Sequence, residues 1–407
     1  MAVASLPHQT PIPWAALHAL ERLLASMRFV AAPIGRDPRL DLLRGFCVFA
    51  MVVDHVGGAS WLYVLTGGNT GPVTAAEGFV FLSGLVLGIV SRRRVARDGL
   101  QAAVRSALAR AWTLYALTTA LTLIFIALTV GTGLAIWVDR SLLAEVRSWP
   151  DLIASVVLLR FTWHGTDILA LYALLLAGAP LALLLLAEGK PWRLLAGSWA
   201  LWLLYQVAPE RAVIPWPIEH ATTFPLAAWQ LLFVNALAIG YHRDEIAAWL
   251  THESARPDVS IIRHRVALGA AACALLVLGA ALTTGQAYAM GQSMPALGSL
   301  DLFDKPSLGI GRIAAFASAA VLIYAFVTLC WHPIERVLGW LLIPLGQASL
   351  YAYAVHLFVI VLAYNVPPYV GGADPGWELH NSIGQLLLVL LIWAMVKRKV
   401  LFGLIPR

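Results

Sequence analysis

The chain has 407 residues, of which 60% are hydrophobic and only 12% charged, about half the charged share of an ordinary soluble domain. That excludes a soluble globular protein and points to an all-α, polytopic integral membrane protein whose apolar surface faces lipid. The net charge of +6 does not imply a nucleic-acid partner, because the basic residues fall in short pieces between apolar runs, where they set orientation.

In chain order, the first residues, MAVASLPHQTPIPW, lack the basic-then-apolar pattern of a signal peptide. Residues 14–33 are apolar with Glu21, Arg22 and Arg28 interleaved, which predicts an amphipathic helix at the cytoplasmic interface. A bilayer span needs roughly 17–25 mostly apolar residues. By that measure the chain predicts about ten spans, near 40–57, 74–91, 107–131, 167–187, 194–208, 226–241, 266–283, 310–331, 340–365 and 381–396. Basic residues such as Arg92, Arg93, Arg94, Arg97 and Lys397 then collect on one side, with few on the other. The positive-inside rule makes the richer side cytoplasmic, and an even number of spans puts both termini there. The organisation is an interfacial segment 1–39, a transmembrane domain 40–396 and a basic cytoplasmic tail 397–407. The outer loop 132–166 predicts an amphipathic helix near 140–160, and the polar loop 284–309 is suited to shaping an outward cleft. Cys47, Cys273 and Cys330 sit inside apolar runs and read as small packing residues.

The functional signal is the set of ionisable groups inside spans, which are costly there and face a protein interior or a watery path. The first span carries RGFCVFAMVVDH. Arg44 and His55 are eleven residues apart, about 20° past three full helical turns, so they share one face about 16 Å apart. Asp41 joins that stripe, and Asp54 precedes His55. Glu77, at the outer end of the second span, either orients His55 as a base or caps its own helix. Gly84 and Gly88 form a GxxxG packing face. At the mouth of the fourth span, Trp163 suits an aromatic belt, while His164 and Asp167 are spaced to face one another. Trp229 and Gln230 enter the sixth span, where a buried amide either joins helices or reaches a sugar. Lys305 and Arg312 flank the outer mouth of the eighth and suit an anionic group. His356 lies in the ninth, as either a structural donor or a catalyst. No metal-binding constellation, HExxH motif or GxSxG elbow appears, and nothing favours zinc or a redox cofactor.

The blocks RLDLLRGFCVFAMVVDH, TAAEGFVFLSGLVLG, TWHGTDILALYALLL, PLAAWQLLFVNALAIG, DKPSLGIGRIAAF and PLGQASLYAYAVHLF resemble, in order and over most of the chain, the OpgC family. Those are inner-membrane proteins linked to succinylation of osmoregulated periplasmic glucans. The family is related to the membrane acyltransferase-3 group, whose first span carries an arginine and a histidine separated by ten residues, the spacing of Arg44 and His55. One departure is Ala170 in DILALY, where a proline is expected, which puts helix shape at that point in question. The resemblance implies acyl transfer from cytoplasmic acyl-CoA, succinyl-CoA above all, to hydroxyls of a periplasmic glycan. It makes His55 the catalytic histidine and Arg44 the motif arginine on the donor side. No permanently bound cofactor is implied. The residues leave an oxyanion donor open between Gln230, Arg312 and a backbone N–H, and leave direct transfer open against an acyl-enzyme. They also admit a transporter or flippase without bond chemistry, or a scaffold for glycan synthesis. Oligomeric state is not legible.

Overall fold

The computed structural model describes residues 26–30, 36–69, 71–134, 148–163, 165–218, 223–251, 269, 271–272, 274–279, 282, 296–297, 300–365 and 376–406. His164, Cys273, most of the expected segment 14–33, part of the expected span 266–283 and much of the loop 284–309 lie outside them. Regular secondary structure among the described residues is helical apart from two two-residue strands, Ala296–Leu297 and Leu300–Asp301. The main helices are α1 (Pro38–Val56), α2 (Ala75–Asp98), α3 (Leu100–Gly131), α4 (Trp149–Val157), α5 (Asp167–Ala187), α6 (Pro191–Val207), α7 (Leu226–Tyr241) and α8 (Arg243–Thr251). They continue with α9 (Ile310–Leu329), α10 (Trp331–Gln347), α11 (Ser349–Asn365) and α12 (Glu378–Lys397).

Five of these, α2, α3, α5, α9 and α12, are long and apolar enough to cross a membrane, and α10 with α11 makes a sixth if the bent pair is one span. This is a multi-pass membrane protein. α1 stands apart because it carries Arg39, Asp41, Arg44 and Asp54 within 19 residues. It is surrounded by α2, α10, α11 and α12, so its charges enter a protein interior rather than lipid. The helix starts where Asp37 accepts from the Arg39 backbone N–H at 3.1 Å, with Pro38 in the first turn. The Asp37 carboxylate also binds the guanidinium groups of Arg39 at 2.8 Å and Arg243 at 2.7 Å, which ties this end of α1 to α8.

Small residues set the closest crossings. Gly84 and Gly88 of α2 lie directly against backbone carbonyls of Phe233 and Leu237 in α7, so a Cβ at either would collide. The GxxxG is a packing face, as expected. Gly45 of α1 and Gly346 of α10 form a second such crossing.

The expected continuous span 340–365 is instead broken. α10 and α11 meet at 91°, with Ala348 leaving helical geometry between them. Pro344 supplies no backbone donor to the last turns of α10, and the Gly346 crossing holds α10 against α1. α11 therefore restarts in a new direction at Ser349. At Ala170, by contrast, α5 runs without interruption, so the missing proline leaves no break. Trp163 is 1% exposed and belongs to the interior, not to an aromatic belt. Of the expected 140–160 helix, the described portion is α4.

Candidate active site

Arg44 and His55, both on α1, line two neighbouring cavities. The cavity at the Arg44 end has a volume of about 130 Å³ and is lined by Arg44, Arg94, Arg110, Ser83, Ser91 and Tyr172, among others. The cavity at the His55 end has a volume of about 170 Å³ and includes Asp54, His55, Asn69, Asp167, Phe224 and Lys305 in its wall. Phe79, Ile168 and Tyr353 line both, so one chamber abuts the other at an apolar and aromatic boundary.

At the Arg44 end, the break between α10 and α11 has a direct consequence. Arg44 Nη2 donates to the Ser349 hydroxyl at 2.7 Å, the first residue of the redirected helix. Arg44 Nε is buried with no hydrogen-bond partner. Arg44, Arg94 and Arg110 make no ion pair with any carboxylate among the described residues. Three guanidinium groups beside serine hydroxyls and an apolar wall suit a phosphate-bearing ligand with an apolar or slender extension. Asp41 is turned away from this cavity. Its carboxylate accepts from Arg36 at 2.6 Å and from Gln347 at 3.4 Å.

At the other end, His55 Nδ1 lies 3.1 Å from His356 Nε2, and the two rings are 5.3 Å apart between centroids. His356 is 0% exposed, and its Nδ1 contacts the Tyr353 carbonyl one turn earlier on α11. The Tyr353 hydroxyl donates to the Gly165 carbonyl, and its ring meets His356 edge-on at 4.7 Å. Asp54 accepts from the Thr66 hydroxyl at 2.6 Å. Asp167 accepts from the Ile168 backbone N–H at 2.9 Å, within the first turn of α5. Lys305 donates to the Asn69 side-chain carbonyl at 2.6 Å. Burial holds the Lys305 ammonium below the ordinary lysine range, with neighbouring Arg312 acting the same way and Glu77, Asp54 and Asp167 opposing.

Other residues singled out from the sequence serve the scaffold. Glu77 is 0% exposed and completes a capping box: one carboxylate oxygen accepts from the Thr74 backbone N–H at 3.0 Å and the Thr74 hydroxyl at 2.6 Å. The other oxygen accepts from Arg312 Nε. Of the two readings of Glu77, the cap is the one the contacts display. Arg312 is 4% exposed and also reaches the Gly71 and Phe303 carbonyls at 3.4 Å. Gln230 joins α7 to α6 through the Ser198 hydroxyl at 2.7 Å and the Ser198 carbonyl at 2.9 Å. The Trp229 indole N–H donates to the Pro306 carbonyl at 3.2 Å. Neither residue lines either cavity. His164 lies outside the described residues.

Sequence reading missed Arg94, Arg110 and Tyr353. In the sequence Arg94 reads only as an orienting charge. Arg110 falls inside the span expected at 107–131, where the rule that flags any ionisable intramembrane residue would have found it. Tyr353 carries no charge, and only the fold reveals that it lines both cavities.

No individual curated protein matches this sequence. A family model described as OpgC protein matches residues 36–401, nearly the whole chain. The chain belongs to the OpgC family.

Proposed function

We propose that the protein is a membrane O-acyltransferase of the bacterial inner membrane that moves a succinyl group from cytoplasmic succinyl-CoA to hydroxyls of a periplasmic glucan. Family membership supports a transferase of this class. The observation that favours it most is the pair of abutting cavities, one with three arginines and one with His55, sharing Phe79, Ile168 and Tyr353. A carrier would need a route for its whole cargo. A transferase needs only a slender arm to pass from one compartment's substrate to the other's.

In this reading the chain has ten spans with both termini cytoplasmic, so the Arg44 cavity opens toward the cytoplasm. Arg44, Arg94 and Arg110 hold phosphates of the donor, and the thioester reaches past Phe79 and Tyr353 toward His55. His55 Nε2 takes the proton of the acceptor hydroxyl as that oxygen attacks the thioester carbonyl. The tetrahedral intermediate collapses by breaking the carbon–sulfur bond. The CoA thiolate leaves and takes the proton back from the His55 imidazolium, so the products are a glucan ester and free CoA. Asp54 and Asp167 are hydroxyl-binding groups for the sugar. Lys305 is the only lysine or arginine among the described residues lining the His55 cavity, and it binds the distal carboxylate of the succinyl group.

The test is mass spectrometry of envelope glycans from a host lacking the gene, carrying wild type, His55→Ala or empty vector. A succinyl-sized gain with wild type alone is expected. A gain of another size replaces the donor, and an equal gain with His55→Ala removes His55 from the chemistry. Movement of unmodified glycan by purified protein in vesicles, with no mass gain, would replace the transferase by a carrier.

A further inference from the structure

We propose that His356 is a positioning residue that fixes the tautomer of His55, so that His55 presents Nε2 as its proton acceptor. The argument begins at the backbone. A carbonyl only accepts hydrogen bonds, so the contact between His356 Nδ1 and the Tyr353 carbonyl puts a hydrogen on His356 Nδ1. His356 is 0% exposed, and a ring sealed in this way is uncharged. An uncharged imidazole has one N–H, so His356 Nε2 is a lone pair. His55 Nδ1 lies 3.1 Å from that lone pair and must supply the hydrogen. With its own hydrogen on Nδ1, uncharged His55 has its acceptor at Nε2. Each ring nitrogen is set by the bond made at the other.

The relay is rigid at its origin. Tyr353 and His356 are three residues apart on α11, so the carbonyl that starts the chain belongs to a helix. The Tyr353 ring lies edge-on to His356, and its hydroxyl is held by the Gly165 carbonyl. The arrangement matters because free imidazole side chains favour the opposite tautomer, with hydrogen on Nε2. In that form His55 would direct its lone pair at Nδ1, toward α11. When Nε2 takes a proton, the Nδ1–H to His356 bond becomes charge-assisted and shorter. His356 thus favours the protonated intermediate without leaving its own place.

The kinetic consequence rests on the acyl-transfer reading; the tautomer itself does not. The full chain, labelled with ¹⁵N-histidine and held in lipid nanodiscs, reports each tautomer through its ring-nitrogen shifts. His55→Gln and His356→Gln spectra assign the signals. Wild type is expected to show His55 protonated at Nδ1 and bare at Nε2, and His356→Leu is expected to move His55 toward the Nε2–H form. With succinyl-CoA and a linear β-glucan oligosaccharide as probe substrates, His356→Leu should lower kcat about 10- to 100-fold, on the scale of losing the orienting partner behind a metal-bound histidine. KM for both probes should stay within about twofold. His356→Gln offers an amide oxygen as acceptor near the lost Nε2 and should recover much of the rate. An Nε2–H tautomer at His55 in wild type overturns the proposal. So does a His356→Leu protein with unchanged His55 shifts and unchanged kcat. If wild type does not use the probes, the acyl-transfer reading has failed on them, and the nitrogen shifts still decide the role of His356. If His356→Leu does not fold, the wild-type shifts and His356→Gln carry the same decision.

Discussion

Two polar pairs join distant parts of the chain, and they end differently. Glu77 and Arg312 form a closed pair: both carboxylate oxygens are taken by Thr74 and Arg312, and neither residue lines either of the two cavities. His55 and His356 form an open pair, with one end anchored on the Tyr353 carbonyl and the other in the cavity wall. Both answer the demand that polar groups inside a membrane protein find partners, although Arg312 Nη2 stays buried without a hydrogen-bond partner. What separates the two pairs is position. Glu77 and Arg312 stand in the wall of neither cavity. His55 stands in the wall of a cavity beside Asp54, Asp167 and Lys305.

The sharpest way to break that contrast is to remove one member of each pair and ask what is lost. His55→Gln should lower transfer about 10²- to 10⁴-fold, the usual share of a general base, while detergent-solubilised protein keeps its thermal unfolding midpoint. Arg312→Met should do the reverse: it removes the ion-pair partner of buried Glu77, at about 3–5 kcal/mol. The midpoint should fall steeply, and the double variant Arg312→Met with Glu77→Gln should recover much of it. A double variant as unstable as the single one would mean that Arg312 contributes through packing and the loop carbonyls, not through the pair.

The open pair was half legible before any fold was in hand. Arg44 and His55 stand out because ionisable residues in an apolar run are rare, and helical spacing alone puts them on one face. His356 was visible as a residue, but its partner was not. Residues 55 and 356 lie on helices whose adjacency depends on the 91° break at Ala348, and Pro344 and Gly346 hint at a break without giving its angle. The expected pairing of Glu77 with His55 rested on membrane depth alone. Depth cannot tell which neighbour a carboxylate turns to, and the Thr74–Glu77 spacing of a capping box was the more local signal. The crossing of α2 and α7 was legible from Gly84 and Gly88, because small residues four apart leave few other uses in a span.

A smaller effect compares the two cavities. Arg110→Gln should raise KM for acyl-CoA about tenfold, the loss of one charged hydrogen bond of about 1.5 kcal/mol, and leave KM for the glucan unchanged. Asp167→Asn should shift the acceptor KM instead. A variant at either end that moves both constants equally would mean that the two cavities work as one site rather than as donor and acceptor halves.

The smallest expected effect concerns Lys305 and gives the His55 cavity a pH signature. Its partner Asn69 is neutral, so its charge remains available to a carboxylate on the incoming acyl group. Lys305→Met should raise KM for succinyl-CoA about fivefold, from about 1 kcal/mol for a partly exposed ion pair, and leave acetyl-CoA unaffected. The sign with pH follows from the lowered pKa, caused first by burial. Only the protonated amine attracts the carboxylate. Its contribution is therefore complete below the folded pKa and is lost as pH rises through it, earlier than for an ordinary lysine. Wild type should lose its preference for succinyl over acetyl donors on the alkaline side, converging on Lys305→Met, whose preference stays flat. A wild-type preference that persists into the ordinary lysine range would assign recognition of the carboxylate to a different group.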